Sequence, residues 1–331
     1  METNIILPGD CIESLKQLPD AFVNTCVTSP PYYGLRDYGE DGQIGQEETP
    51  QQYIDKMVEV FAQIRRVLRD DGTLWLNLGD SYAGSGKGAY ADGVVRLGEA
   101  SKVQSSNAGT TNGTFKKTNV QGLKPKNLMG IPWRVAMAMQ DDGWYLRQDI
   151  IWAKPNPMPE SVTDRCTKSH EYIFLMTKNP DYYFDYEAIR ERSVAKLDKK
   201  FLSPIGGKKD PKKPGSYSGN APENDGFRNK RSVWNVNVTA KNYEGAHFAV
   251  YPEELIVPCV LAGAPEDGIV IDPFFGAGTT GVVALKHGRK YIGCELNPEY
   301  IEVAEKRLAP IHRQAENKKI SAGIISNYFD F

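Results

Sequence analysis

The strongest constraint on the fold lies near the end of the chain. Ile269–Asp272 is a short apolar run closing on an acid, and Gly276-Ala277-Gly278-Thr279-Thr280-Gly281 follows it. A helical pattern over Val282–His287 comes next, then a second apolar run, Lys290–Glu295, that again ends on a carboxylate. Strand, Gly-rich turn, helix and strand make a βαβ unit, whose strands share a sheet only in parallel. Glycines let the backbone approach a ligand, and the helix N-terminus offers unpaired N–H groups. A carboxylate on the following strand can grip two ribose hydroxyls.

The same alternation runs through the chain. Ile5–Leu7 reads as a strand, and Gly9-Asp10 turns into a helix carrying Ile12, Leu15 and Leu18. Ala21–Val27 reads as a buried strand that runs straight into Thr28-Ser29-Pro30-Pro31-Tyr32-Tyr33. Residues 51–69 form an amphipathic helix with Ile54, Met57, Val58, Phe61, Ile64, Val67 and Leu68 on its apolar side. Asp71-Gly72 ends it, and Thr73–Leu78 is the next strand. Trp133–Gln140 reads as a helix, Trp144–Trp152 and Glu171–Thr177 as strands, and Pro252–Ala262 and Glu299–Leu308 as helices. The expected fold is therefore α/β, with a mostly parallel sheet flanked by helices.

Two segments break this order. Residues 81–127 hold eight glycines and seven Lys/Arg against two Asp/Glu, the composition of a long insertion. Residues 190–232 carry twelve Lys/Arg against five Asp/Glu. A formal net charge of −2 over 331 residues hides this local basicity. No run approaches the eighteen apolar residues of a membrane span. The first residues lack the pattern of a signal peptide. The five cysteines are scattered without paired spacing, which fits a cytoplasmic protein and argues against a disulfide scaffold or a zinc site.

On its own the Gly-rich turn suits a nicotinamide dinucleotide, S-adenosylmethionine (SAM) or a merely structural turn. Asp272-Pro273-Phe274-Phe275 tilts the balance, because an acid, a proline and aromatic residues before the glycines resemble the SAM-binding motif Asp-Pro-Phe-x-Gly-x-Gly-Thr-Thr. Thr28–Tyr32 sits at the carboxyl end of a predicted strand, where open α/β sheets bind ligands. Two consecutive prolines stiffen that loop and leave carbonyls to face a ligand.

Together these motifs resemble the amino-group DNA methyltransferases. The resemblance implies a Rossmann-like SAM methyltransferase fold in the permuted β arrangement, catalytic motif first and SAM motif last. It implies catalytic roles for Ser29, Pro30, Pro31 and Tyr32, and the Ser form of the motif accompanies methylation of the cytosine 4-amino group. Ser29 and the Pro30 carbonyl would accept the amino hydrogens of a flipped base, and Tyr32 would stack on it. SAM would be held by Asp10, Cys11, Asp272, Phe274, Gly276, Gly278, Thr279, Thr280, Glu295 and Asn297, although Asp10 with Glu13 could equally be a capping box. Asn77–Asp80, Asp149–Lys154 and His170–Thr177 look like the family's base-pocket motifs, and His247–Leu255 like the segment that helps hold the methionine end.

Along the chain the implied division is a catalytic half (1–80), an insertion (81–127), more of the methyltransferase domain (128–185), a target-recognition region (186–240) and a SAM-binding half (241–331). In the recognition region Lys208, Lys209, Lys212 and Lys213 would contact phosphate, interleaved with Phe201, Tyr217, Phe227 and Trp234 as base-stacking candidates. The implied partner is double-stranded DNA, a cognate restriction enzyme is an open one, and no membrane or metal is expected. Adenine in place of cytosine is the near alternative. RNA or protein amino methylation, a non-catalytic nucleic-acid-binding protein and a nicotinamide-dependent oxidoreductase are more distant. Pro258-Cys259 has the form of the nucleophile of carbon-5 cytosine methylation, but it lies in the apolar stretch Leu255–Leu261, which reads as a buried helix.

Overall fold

The computed structural model describes residues 1–35, 40, 42–83, 123–193, 225–238, 242–243, 246–247 and 250–321. In chain order the elements are β1 (Ile5–Pro8), α1 (Cys11–Lys16), β2 (Val23–Thr28), α2 (Pro50–Val67), β3 (Leu68–Leu78), α3 (Ile131–Asp141), β4 (Tyr145–Ala153) and β5 (His170–Thr177). Then come β6 (Glu191–Arg192), β7 (Phe227–Arg228), β8 (Val233–Asn235), β9 (Asn242–Tyr243), β10 (Ala246–His247), α4 (Glu253–Gly263), β11 (Ile269–Asp272), α5 (Thr279–Lys286), β12 (Lys290–Glu295) and α6 (Pro298–Ser321).

Eight strands form one sheet in the order β1-β12-β11-β2-β3-β5-β4-β8. The run from β1 to β3 is parallel throughout. β5 is antiparallel to both its neighbours, and β8 returns parallel to β4. The expected mostly parallel sheet is thus present, with one reversed strand. The reversal follows from the connection, since no helix separates β4 from β5 and a chain without a crossover comes back antiparallel.

The period of two sorts the strand residues into two cores. Leu74, Leu76 and Leu78 of β3 face α1, α2 and α3, whereas Trp75 faces the side covered by α4, α5 and α6. α2 starts on a capping box, in which Gln52 N–H donates to Thr49 and the Thr49 N–H returns a bond to the Gln52 side chain. Its buried stripe runs Tyr53, Ile54, Met57, Val60, Phe61, Ile64, Val67. α2 ends at Val67, and Leu68 turns extended to pair with Val23, so β3 begins five residues before the expected Thr73. α6 also runs beyond the expected Leu308, to Ser321. No helix among the described residues is long and apolar enough to cross a membrane.

β11 and β2 are neighbours whose following helices leave to opposite faces, α5 to one and α2 to the other. Their carboxyl ends therefore open a crevice at the topological switch point, where ligands bind in such sheets.

In the basic region β6 and β7 form a short antiparallel ladder. Residues 194–224, with Lys208, Lys209, Lys212, Lys213, Phe201 and Tyr217, lie outside the described residues, as does nearly all of the 81–127 insertion. Trp234 is a correction to the sequence expectation. It sits in β8, 6% exposed, with Nε1 donating to the Arg231 carbonyl at 2.6 Å, so it packs in the core and cannot stack on a base. Phe227 is 45% exposed.

Candidate active site

A cavity of about 840 Å³ occupies the crevice at the ends of β11 and β2. Of the residues expected to hold a ligand, Asp10, Cys11, Ser29, Pro30, Pro31, Tyr32, Asp272, Phe274, Gly276, Thr279, Glu295 and Asn297 line it. Gly278 and Thr280 are not among the lining residues: Gly278 is the N-cap of α5, and Thr280 Oγ1 donates to Asp272 Oδ2 at 2.6 Å.

The Gly-rich turn folds as it does for local reasons. Gly276 and Gly278 have φ of +50° and +76°, a region that side chains rarely adopt. Gly281 falls within the first turn of α5, where a Cβ would lie 2.7 Å from Phe275 Cζ. The turn is braced by Arg307, whose guanidinium donates to the Ala277 carbonyl and, at 3.2 Å, to Thr279 Oγ1.

Glu295 Oε2 accepts from the Gly276 N–H at 2.6 Å, and its Oε1 from the Asn297 N–H at 2.9 Å. Burial pushes its carboxyl above the usual range against these two bonds. Asn297 Oδ1 caps α6, accepting from the N–H of Glu299 at 2.8 Å. Asp10 is both things the sequence allowed. It caps α1, accepting from Ile12 and Glu13 N–H groups at 2.9 and 3.1 Å, and it lines the cavity. The reciprocal half of a capping box is replaced by a Glu13–Lys16 ion pair.

Asp272 is 2% exposed and holds four donors. Thr28 Oγ1 at 2.6 Å and the Phe274 N–H at 3.0 Å reach Oδ1, while Thr280 Oγ1 at 2.6 Å and Tyr251 OH at 3.1 Å reach Oδ2. Desolvation raises its pKa to about 6, with these hydrogen bonds opposing the rise. Asp272 thus ties the Gly-rich turn to the residue before Ser29.

On the opposite wall the Pro31 carbonyl accepts from the buried Tyr53 hydroxyl at 2.9 Å, which anchors the double proline on α2. The Tyr32 ring rests on Gly79, where a Cβ would come within 2.5 Å of Tyr32 Cε2. The Tyr32 hydroxyl donates to Glu171 at 2.8 Å, and Glu171 forms an ion pair with Lys154. Glu171, Lys154, Lys168, Asn77 and Tyr251 are site residues that the sequence did not single out. Asn77, Lys154, Glu171 and Tyr251 fall in segments that the family resemblance marked, but only the assembled sheet says which residues of those segments line the cavity, and Lys168 lies outside them. Cys259 is buried on α4 with its thiol pushed well up by desolvation, in keeping with a packing role.

The DNA methylase family model matches residues 23–306. The Type II methyltransferase M.Cfr9I of Citrobacter freundii is 45% identical over 303 residues, covering 92% of this chain and 87% of its own. The Type II methyltransferase M.SmaI of Serratia marcescens is 44% identical over 313 residues, 93% of each chain. Among solved structures, the PvuII DNA methyltransferase (cytosine-N4-specific) has a similar fold, with a TM-score of 0.60 at 18% identity, over 96% of this chain and 94% of the other. A putative DNA modification methylase from Thermus thermophilus, complexed with S-adenosyl-L-methionine, gives a TM-score of 0.55 at 22% identity, over 92% and 95%.

Proposed function

The chain belongs to the N6/N4 DNA methylase family, and from that membership we propose that it transfers a methyl group from SAM to the exocyclic 4-amino group of cytosine in double-stranded DNA. The observation that carries the reading is the shared cavity, with Ser29–Tyr32 on one wall and Phe274, Gly276 and Glu295 on the other.

The residues present fit SAM. Asp10 and Glu295 offer acidic acceptors to a ligand bearing ribose hydroxyls and positive charge, and Phe274 offers an apolar surface. No Cβ contact lies within 4 Å of Gly276, so the backbone there is open to close approach. The cavity, about 840 Å³, falls within the range of about 300–1,000 Å³ usual for cofactor and small-molecule sites. When bound, SAM supplies an electrophilic methyl on a sulfonium.

The chain's own residues do the rest. A target amino group is conjugated with its ring and is a poor nucleophile. Ser29 Oγ and the Pro30 carbonyl accept its hydrogens and turn the nitrogen lone pair toward the cofactor wall, so the work is orientation and electrostatics without a covalent enzyme intermediate. Flipping the base into the cavity costs roughly a few kcal/mol of stacking and pairing. Residues 186–240 supply the DNA-recognition surface in this reading.

The choice of cytosine rests on Ser29 at the first position of the motif. The oxidoreductase alternative, which only the glycine pattern suggested, finds no support among the relatives. Digestion of DNA treated with the protein and SAM, followed by mass identification of the nucleosides, should yield N4-methyl-2′-deoxycytidine. N6-methyl-2′-deoxyadenosine alone would replace the base assignment, and no methylated nucleoside would reject the function.

A further inference from the structure

We propose that Glu171 is a positioning residue for methyl transfer: through the Tyr32 hydroxyl it sets the direction of the Ser29 hydroxyl, so that Ser29 presents lone pairs and not its proton to the target amino group. The inference rests on the methyltransferase reading above.

An ionised carboxylate offers acceptors only. The Tyr32 hydroxyl has one hydrogen and two acceptors in range, Glu171 Oε2 at 2.8 Å and Asn77 Oδ1 at 3.2 Å. The nearer, charged acceptor takes it. The Tyr32 oxygen is then left with lone pairs toward Ser29 Oγ, 3.4 Å away, whose hydroxyl donates to it. With its proton committed, Ser29 can only accept from the base. Positive charge grows on the amino nitrogen during transfer, and an acceptor polarised by a carboxylate behind it favours that change.

The surroundings hold this direction. Asn77 Nδ2 donates to Glu171 Oε2 at 3.3 Å and to the Tyr172 carbonyl at 3.0 Å, which orients the amide. Lys154 pairs with Glu171 Oε1 and sits 4.2 Å over the Trp152 ring. The side chains of Glu171 and Lys154 are 15% and 17% exposed, so the pair is largely shielded from water. Lys168, His170, Asp80 and Glu160 are the other charged or titratable groups lining this side of the cavity. Burial, and then the Glu171 charge, push the Tyr32 phenol well above its ordinary range, so it stays a donor.

The test uses the whole chain labelled with carbon-13 at tyrosine Cζ, with the Tyr32 resonance assigned by its loss in Tyr32→Phe. Glu171→Gln should move that resonance upfield, because a neutral amide draws less on the phenol proton. An unmoved resonance overturns the proposal whatever the activity. In kinetics, Glu171→Gln and Tyr32→Phe should each lower kcat tenfold or more, with SAM affinity and the KM for DNA within twofold of wild type. The double variant should be no slower than the slower single one, since both act through one hydroxyl. Multiplicative losses, or variants at the wild-type rate, overturn the inference alone. A wild-type protein that methylates no DNA overturns it together with the function.

Discussion

The Thr28 hydroxyl donates to Asp272 Oδ1 at 2.6 Å across 244 residues of chain. Thr28 closes β2 and Asp272 closes β11, the two strands that meet at the switch point of the sheet. One bond therefore links the residue before Ser29 to the acid before the Gly-rich turn. Thr28→Val keeps the shape and removes the donor. It should cost about 1–3 kcal/mol, the usual range for a buried polar group left short of a partner, and lower turnover as Ser29 loosens. Urea unfolding and a methylation assay read the two effects, and a variant with unchanged stability would show that the bond is dispensable.

The raised pKa of Asp272 has a stability consequence with a definite sign. Its folded value, about 6, lies above the ordinary value of 3.8, so the folded state binds the proton more tightly. This group therefore contributes stability as pH falls through about 6, complete below about 4 and absent above about 7. At about 1.4 kcal/mol per unit the effect is on the order of 3 kcal/mol. Wild type measured against Asp272→Asn by chemical denaturation should gain over this window. A difference that is flat with pH would refute the assignment.

Glu295→Ala should weaken SAM binding by an order of magnitude or more, because the cavity loses a charged acceptor. It also frees the N–H groups of Gly276 and Asn297 that the carboxylate now satisfies. Calorimetry on the purified protein measures this directly, and wild-type affinity would remove Glu295 from the cofactor site.

Gly79→Ala tests the seat of Tyr32. A Cβ at 2.5 Å from the ring must displace it or the strand. Overpacking of this kind costs about 1–3 kcal/mol. Turnover should fall while SAM affinity holds, since Gly79 lies on the wall away from the Gly-rich turn. Loss of SAM binding with unchanged turnover per bound cofactor would place the ring elsewhere.

Replacing Lys208, Lys209, Lys212 and Lys213 together by alanine should weaken DNA binding on all sequences alike, because phosphate contacts carry no base information. The plot of log affinity against log salt should flatten by up to about 0.9 for each lysine that touches phosphate. Titrations at several salt concentrations decide it, and an unaltered slope with unaltered affinity would move the search to residues 81–127.

The sequence by itself determined the parts that are local. The φ demands of Gly276 and Gly278, the apolar stripe of α2 and the stiff double proline after β2 are properties of neighbouring residues. Periodicity and turn chemistry therefore exposed the α/β fold, the Gly-rich turn and the Ser29–Tyr32 loop. The tertiary structure alone decided who meets whom. The reversal of β5 turns Glu171 toward Tyr32, and the addition of β8 takes Trp234 out of reach of a base. The adjacency of β2 and β11 brings Thr28 to Asp272. Strand pairing and register are settled by the burial of whole faces across distant segments, so a pattern read along one segment names the facing residues only after the sheet has assembled.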